Sequence, residues 1–245
     1  MQFAYIEKTS LLDYPGKVCS VLFTVGCSFR CPFCYNRNLV LPEEYPAGDK
    51  WSEGYAIDLL NKRKKYVDAV TITGGEPLMH EKLVPFLKRL KENGFNVKID
   101  TNGSQPERLK EIIDNKLADY IAMDLKNCAE KYKETSGSDI NPEIIKRSAD
   151  MIMGSGIDYE FRVTLVPGLH TIEDLEAMMK WISGNSGVGP ATQPVKRIYL
   201  QPFRNDVPLI NSEYNLKPLF KDNEIDAFQK ALDPFCKEVK VRKYY

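Results

Sequence analysis

The 245-residue sequence predicts an α/β fold built around a parallel β-sheet. Six short segments rich in β-branched and aromatic residues recur along the chain, and segments with helical spacing of apolar residues lie between them. Strands joined through helices pair in parallel by right-handed crossovers. No change of composition marks a second domain, so we expect one domain over residues 1–245.

The predicted strands differ in how they end. The first, VCSVLFTV, is an unbroken apolar run, which is typical of a strand buried on both faces. The second stops at Gly74-Gly75 and the third at Asn102-Gly103, both of which favour turns. In chain order the strands are predicted over residues 18–25, 68–73, 95–101, 119–125, 158–166 and 197–203.

The intervening segments have apolar residues three and four positions apart, as amphipathic helices do. In the second of them the apolar residues from Leu83 to Leu90 share one face, and Gly94 supplies a stop. The apolar stripe from Ile172 to Ile182 is interpreted as core. Helices are predicted over residues 52–66, 80–93, near 106–115, around 142–154, from 172 onwards and over 223–232.

The two ends of the chain add smaller elements. Residues 1–17 are expected to form a short hairpin with the first strand, turning near Pro15-Gly16. Residues 221–245 are expected to add a helix and a final strand. The Gly- and Pro-rich stretch 183–194 is predicted to be a long surface loop.

The composition excludes some classes of partner. Lys+Arg and Asp+Glu both total 34, so no net charge attracts the chain to nucleic acid or to a membrane surface. No segment approaches the ~20 apolar residues of a membrane-spanning helix, and the first residues do not resemble a signal peptide. We therefore expect a cytoplasmic protein, in which clustered cysteines more often bind metal or react than form disulfides.

Polar motifs follow the predicted strands at their carboxyl ends. In parallel α/β folds these ends lie on one face, so we expect the motifs to meet in one pocket. In strand order they are the cysteines at 27–34, Gly74-Gly75-Glu76-Pro77, Asp100-Thr101-Asn102-Gly103, Asp124 with Lys126, Arg162 within the fifth strand, and Gln201-Pro202.

Three of the six cysteines, Cys27, Cys31 and Cys34, have the spacing C-x3-C-x2-C. A structural zinc site needs four protein ligands, whereas thiolates also hold iron–sulfur clusters, where three ligands would leave one iron open. The three cysteines could instead be buried free thiols, or two of them could form a disulfide, which the compartment disfavours. The residues that could supply a fourth zinc ligand are distant in sequence: Cys19, Cys128, Cys236, His80 and His170.

With Phe33 directly before Cys34, and G-G-E-P about 40 residues later, the cysteine motif resembles that of the radical S-adenosylmethionine (SAM) superfamily. The resemblance implies a [4Fe–4S] cluster held by Cys27, Cys31 and Cys34, whose open iron binds the amino and carboxylate groups of SAM. It also implies an open, partial (β/α)6 barrel of the TIM type, and a 5′-deoxyadenosyl radical that abstracts hydrogen from a substrate.

The G-G-E-P motif can also be interpreted from its residue types. Gly74 and Gly75 would let backbone approach a ligand that a Cβ would obstruct, and Pro77 would stiffen the turn. Glu76 could pair with the methionine ammonium of SAM, or could stabilise the N-terminus of the helix at 80–93. By the same resemblance Phe33 would pack near the adenine, or would keep water from the cluster.

The motifs DTNG (100–103) and DLK (124–126), and the segment from SLLDYPG to CPFCYN, resemble the activating enzymes of glycyl radical enzymes. The anaerobic ribonucleotide reductase branch is the most similar, and pyruvate formate-lyase activation is related. Tyr35 departs from the pattern, since many activases have histidine after the third cysteine. The resemblance implies that the substrate is a glycine Cα–H of a partner protein, with flavodoxin or ferredoxin as electron donor.

The resemblance further implies that Asp100, Thr101 and Asp124 hold a monovalent cation beside SAM. Lys126 and Arg162 would supply positive charge near a carboxylate of SAM or of the substrate. Lys126 and the three cysteines are the residues predicted to be catalytic. An ordinary ion pair of Asp124 with Lys126 is about as plausible. Asn102 is expected either to contact the cofactor or to form only a turn, and Gln201 to contact the adenosine.

Three other functions remain open from sequence. One is a radical SAM enzyme that acts on a small molecule, such as the 7-carboxy-7-deazaguanine synthase type. A peptide-modifying maturase is disfavoured, because such proteins usually carry a further cysteine-rich cluster domain. The third is a zinc-binding interaction module without catalytic activity.

Overall fold

The computed structural model describes residues 1–41, 43, 45, 51–184 and 194–242, so most of the predicted surface loop 183–194 lies outside the described residues. The strands are β1 (Gln2–Phe3), β2 (Tyr5–Ser10), β3 (Cys19–Thr24), β4 (Trp51–Ser52), β5 (Ala69–Gly74), β6 (Asn96–Thr101), β7 (Tyr120–Asp124), β8 (Asp158–Leu165), β9 (Ile198–Pro202) and β10 (Val239–Val241).

Each of the six helices predicted from sequence is present, and in the predicted order. The helices of the structure are α1 (Arg37–Val40), α2 (Glu53–Arg63), α3 (Leu83–Glu92), α4 (Pro106–Asp114), α5 (Tyr132–Ser136), α6 (Pro142–Gly154), α7 (Ile172–Ile182) and α8 (Asp222–Leu232), with 3₁₀ turns at Pro77–Met79, Ala129–Lys131 and Ser212–Leu216. The short α1, α5 and 3₁₀ turns, and the two-residue strands β1 and β4, were not predicted. A helix or 3₁₀ turn of three to five residues spans little more than one turn, and a two-residue strand shows no alternation, so neither has a recognisable period.

The structure divides into two compact units, the first of which comprises Met1–Ser28 and Asn36–Ala122. Its strands are ordered β2-β3-β5-β6. Strand β3 pairs in parallel with β5, and β5 with β6, while β2 runs antiparallel to β3. The predicted N-terminal hairpin is therefore present. Because β3, β5 and β6 are parallel, their carboxyl ends lie along one edge of the sheet.

The second unit comprises Phe29–Tyr35 and Met123–Tyr245, so that β7 ends in it. Its remaining strands are ordered β8-β9-β10, all parallel, with Thr164 opposite Gln201 and Ile198 opposite Val239. The final helix and strand predicted for the C-terminal segment are α8 and β10. The division of the chain into domains stays a prediction.

Helix boundaries follow the local chemistry of the sequence. Pro106 and Pro142 occupy first-turn positions of α4 and α6, where a missing N–H costs nothing. Helix α7 begins with a capping box, in which Thr171 accepts from the Asp174 N–H at 3.2 Å and Asp174 accepts from the Thr171 N–H at 3.0 Å. The start of α7 is therefore fixed by side-chain capping, and the starts of α4 and α6 are favoured by proline in the first turn.

The two faces of the first unit's sheet have different environments. Side chains alternate along a strand, and the register places Thr71 opposite Lys98, so these two share a face with Cys19 and Asp100. The other face carries Leu22, Ile72 and Ile99, all fully buried. The buried charged groups Lys98 and Asp100 thus share one face, and the middle of the other face is apolar.

Within the described ranges, none of the helices has the length and apolar character of a membrane-spanning segment.

Helix α3 provides a direct test of the apolar stripe inferred from sequence. Leu87 is 0% exposed within it, whereas its neighbour Lys88 is exposed. Leu87→Ala should lower the free energy of unfolding by about 2–5 kcal/mol, since the substitution removes buried methyl groups and leaves a cavity. Urea denaturation measures this change. Lys88→Ala is the matched control and should change stability by less than about 0.5 kcal/mol; equal losses would contradict the assigned helix face.

Candidate functional site

The loop that follows β3 and the Gly74-Gly75 motif that follows β5 touch each other closely. The Glu76 N–H donates to Gly26 O at 2.7 Å, and the Gly75 N–H donates to Thr24 O at 3.0 Å. A Cβ on Gly75 would lie 1.9 Å from Gly26 O, and one on Gly74, at φ 119°, would lie 2.4 Å from Thr24 N. Both positions therefore require glycine because backbone meets backbone. Contact of these glycines with a ligand stays a prediction.

Glu76 joins this loop to the end of β6. Its side chain is 0% exposed and accepts three hydrogen bonds: from Thr101 Oγ1 at 2.8 Å, from the Asn102 N–H at 2.6 Å and from the Leu78 N–H at 3.0 Å. A buried carboxylate is tolerated when donors surround it, as here. The last bond caps the 3₁₀ turn Pro77–Met79, so Glu76 does stabilise a helical N-terminus, although not that of the helix predicted at 80–93. Pairing with an ammonium group stays a prediction.

Asn102 connects the end of β6 to the first cysteine. Its Nδ2 lies 3.6 Å from Cys27 Sγ and donates to Ser28 Oγ at 3.1 Å, while its Oδ1 accepts from the Ser104 N–H at 2.9 Å. The Ser28 and Ser104 hydroxyls are 2.8 Å apart. Asn102 therefore does more than form a turn. Ser28 and Ser104 were missed, since single serines beside a motif carry no distinctive sequence signal.

Asp100 lies on the opposite face of β6 from Thr101. Its Oδ1 is 2.5 Å from Lys98 Nζ, and both side chains are almost completely buried. Nearby, burial raises the pKa of Cys19, partly offset by its hydrogen bond with Thr71. Lys98 was not singled out from sequence, because a lysine within an apolar strand is indistinguishable there from a solvated one.

The second and third cysteines occupy a tight turn of the second unit. The Cys34 N–H donates to Cys31 O at 3.0 Å, and Cys31 and Phe33 are both buried. The turn is held by backbone bonds from the Asn211 N–H to Pro32 O at 2.9 Å and from the Ile210 N–H to Cys34 O at 3.2 Å. Residues 210–211 were missed by sequence analysis, because such backbone contacts can be made by any residue type.

Asp124, Lys126 and Arg162 form one charged cluster in the second unit. Arg162 Nε donates to Asp124 Oδ1 at 2.8 Å, and Lys126 Nζ lies 3.4 Å from Asp124 Oδ2. Burial disfavours the charged form of Lys126, but the Asp124 carboxylate outweighs burial, so the pKa of Lys126 is raised. Lys126 is thus a firmly held cation, within electrostatic range of Cys31 and Cys34.

The remaining predicted site residues are placed by their strands. Gln201 is half-buried on β9, opposite Thr164, and Pro77 is buried at the start of its 3₁₀ turn. The structure therefore brings Cys27, Glu76, Thr101 and Asn102 together in the first unit. In the second it brings Cys31, Cys34, Asp124, Lys126 and Arg162 together.

The cysteines have suitable chemistry for an iron–sulfur cluster. All six lie in the described residues and remain thiols, and Cys27 has an amide donor at hydrogen-bonding distance, as cluster sulfurs commonly have. Among the described residues no group of three or more His, Cys, Asp or Glu side chains is arranged as a metal site. Ligation by Cys27, Cys31 and Cys34 therefore stays a prediction.

Comparison with known proteins identifies the family. The Radical SAM superfamily model matches residues 21–182. A Methanocaldococcus jannaschii protein, provisionally named a glycyl-radical enzyme activating enzyme, is 33% identical over 244 residues, which are 97% of this chain and 94% of that protein. The pyruvate formate-lyase-activating enzyme of Clostridium pasteurianum is 29% identical over 256 residues, with 96% of each chain covered.

Among solved structures, Streptococcus suis SuiB bound to S-adenosylmethionine has a TM-score of 0.68 and 14% identity, over 92% of this chain and 50% of SuiB. The chain thus spans half of SuiB, and the likeness shows the fold alone. Together these findings define an α/β partial barrel of the TIM type, as predicted. The chain belongs to the radical SAM superfamily and is a radical SAM enzyme, a membership that implies a [4Fe–4S] cluster and SAM as cofactors.

The contact between Gly75 and Gly26 can be tested by one methyl group. Gly75→Ala should lower the free energy of unfolding by about 2 kcal/mol or more, since its Cβ would overlap Gly26 O and displace the loop that carries Cys27. Gly54→Ala in α2 is the control, because its Cβ would meet only Ser52 Oγ, at 3.9 Å. That variant should be as stable as the parent or more stable, by at most about 1 kcal/mol. Urea unfolding that failed to separate the two would contradict the close approach.

Proposed function

We propose that this chain is the activating enzyme of a glycyl radical enzyme. The observation that supports it most is the 33% identity, over 97% of the chain, to a protein named for this activity. The match also covers 94% of that protein, so the similarity is not confined to the cysteine motif and G-G-E-P.

In this proposal Cys27, Cys31 and Cys34 hold the [4Fe–4S] cluster. When bound, the reduced cluster would supply the one electron needed to cleave SAM to methionine and a 5′-deoxyadenosyl radical, and transfer of a glycine Cα hydrogen atom to that radical would give 5′-deoxyadenosine. The protein's contribution is orientation. Asn102 donates towards Cys27 Sγ, and the backbone bonds from residues 210–211 hold the turn with Cys31 and Cys34.

The charged residues would orient the carboxylate groups. Lys126 remains an ammonium because the Asp124 carboxylate stabilises its charge, so it can attract a carboxylate of SAM or of the substrate peptide. Phe33, Gly74, Gly75, Pro77 and Gln201 would line the remaining cofactor surface. Their assignment rests on the sequence motifs alone.

We also propose a monovalent cation at Asp100, Thr101 and Asp124, although both carboxylates already have cationic partners. Asp100 already pairs with Lys98, and Asp124 already pairs with Arg162 and Lys126. Neither carboxylate therefore needs a cation for charge balance. The Thr101 hydroxyl donates to Glu76.

We further propose anaerobic ribonucleotide reductase as the partner, flavodoxin or ferredoxin as the electron donor, and the cytoplasm as the compartment. The SLLDYPG segment favours the first of these, and the six reduced thiols suit a reducing compartment. A donor protein is needed, since the cysteines outside the 27–34 motif are scattered through the sequence.

The function is tested with the reconstituted enzyme under anaerobic conditions. The enzyme, SAM and a reductant should generate the electron paramagnetic resonance doublet of a glycyl radical in anaerobic ribonucleotide reductase. A partner variant whose radical glycine is replaced by alanine is the control and should give no doublet. Formation of 5′-deoxyadenosine without a doublet, in this partner and in pyruvate formate-lyase, would overturn the proposal and favour a small-molecule substrate.

The cysteine assignment predicts a sharp difference between variants. Cys31→Ala should abolish SAM cleavage, because only two thiolates would remain for the cluster. Cys128→Ser, at a buried position outside the motif, is the control and should retain iron, sulfide and cleavage. The measurement is 5′-deoxyadenosine formed per enzyme. A normal yield from Cys31→Ala would show that the ligand set is wrong.

A further inference from the structure

His170 was considered from sequence only as a distant zinc ligand, and the structure gives it a different environment. It follows β8 and precedes α7, and it is 3% exposed. The Val166 N–H donates to its Nδ1 at 3.0 Å, and its Nε2 lies 2.7 Å from Lys126 O. Both ring nitrogens therefore already have partners within the chain, which leaves none for a metal.

These partners define the protonation of the ring. A backbone N–H can only donate and a carbonyl oxygen can only accept, so Nδ1 carries no proton and Nε2 carries one. Burial lowers the pKa of His170, which favours this neutral form. The ring is a rigid link between the Val166 amide and the Lys126 carbonyl.

The residue next to Lys126 is anchored to the same turn. Asn127 Nδ2 donates to Leu169 O at 2.8 Å and to Thr135 Oγ1 at 3.0 Å, and its Oδ1 accepts from the Cys128 N–H at 2.8 Å. Asn127 itself is 0% exposed. The backbone at 126–127 is therefore held against residues 166–170 by two side chains: Asn127 donates to Leu169 O, and His170 bonds the Lys126 carbonyl.

The hydrogen bonds of His170 and Asn127 fix the backbone from which the Lys126 side chain extends. Its ammonium lies 3.4 Å from Asp124 Oδ2. Interactions between charges at buried sites change steeply with distance, so a small displacement of this backbone would misplace the ammonium. We propose that His170 is a positioning residue for Lys126, acting through the hydrogen bond from its Nε2–H to the Lys126 carbonyl. The proposal rests on the proposed role of Lys126 in SAM cleavage, not on the identity of the protein substrate.

Two amide substitutions separate the two bonds of the ring. The amide of asparagine lies where Nδ1 was, so His170→Asn can keep an acceptor for the Val166 N–H and loses the donor to Lys126 O. The amide of glutamine lies where Nε2 was, so His170→Gln keeps that donor and loses the acceptor. The proposal predicts about a tenfold loss of SAM cleavage for His170→Asn and a loss of less than about twofold for His170→Gln.

A double-mutant cycle distinguishes positioning from general destabilisation. In a Lys126→Met background, His170→Asn should reduce the remaining SAM cleavage by less than about twofold, because the ammonium that it displaces is already absent. A tenfold loss in both backgrounds, or equal losses for His170→Asn and His170→Gln, would overturn the proposal.

Hydrogen exchange of the metal-free protein gives a readout that does not depend on activity. His170→Asn should speed exchange of the amides at 125–128 by about tenfold and leave the Val166 amide protected, whereas His170→Gln should do the reverse. Unchanged exchange at 125–128 in His170→Asn would refute the contact. If the parent enzyme cleaves no SAM, the proposed function fails while this measurement still decides the contact.

Discussion

In the first unit, the ends of three strands are held together by the buried carboxylate and the backbone N–H of one residue, Glu76. Glu76 has no exposed surface, and its three donors come from the turn after β5 and from the end of β6. Its own N–H donates to Gly26 O in the loop after β3. Three strand ends are thereby joined at one residue. Loss of such an acceptor would leave buried N–H and O–H groups unsatisfied, which costs more than the bonds themselves contribute. The position of Asn102 beside Cys27 follows from this arrangement.

The second unit keeps Lys126 positively charged within electrostatic range of Cys31 and Cys34. Lys126 is kept charged by Asp124, and Asp124 is in turn oriented by Arg162. The turn with Cys31 and Cys34 is fastened by backbone bonds to residues 210–211, which are far away in sequence. Cationic groups stabilise thiolates, and thiolates are the form that binds iron. The charge arrangement therefore suits the ligand role predicted for these cysteines.

The sequence could predict those features that have a period or a motif. The six strands and the helices α2, α3, α4, α6, α7 and α8 were located within a few residues, since each is long enough to show alternation or an apolar stripe. The cysteine spacing and G-G-E-P indicated the family that the comparison confirmed. The sequence also marked Gly75 as a position where a Cβ would not fit, and the structure places Gly26 O against it. Approach of a ligand to the same glycine stays a prediction.

What sequence could not predict are the pairings between single residues. Lys98 with Asp100, and His170 with the Lys126 carbonyl, each join residues whose types recur throughout the chain. The sequence does not show whether a lysine is buried or solvated. Every residue has a backbone carbonyl, so a hydrogen bond to one leaves no signal in the sequence. These contacts depend on strand register and on turn geometry, which appear only in three dimensions.

Three thiolates are proposed to hold an iron–sulfur cluster with one iron left for SAM. Metal and sulfide analysis of the anaerobically purified and reconstituted protein decides this ligand set. We expect about four iron and four acid-labile sulfide per chain, as a [4Fe–4S] centre requires. One zinc per chain, with no labile sulfide after reconstitution, would contradict it.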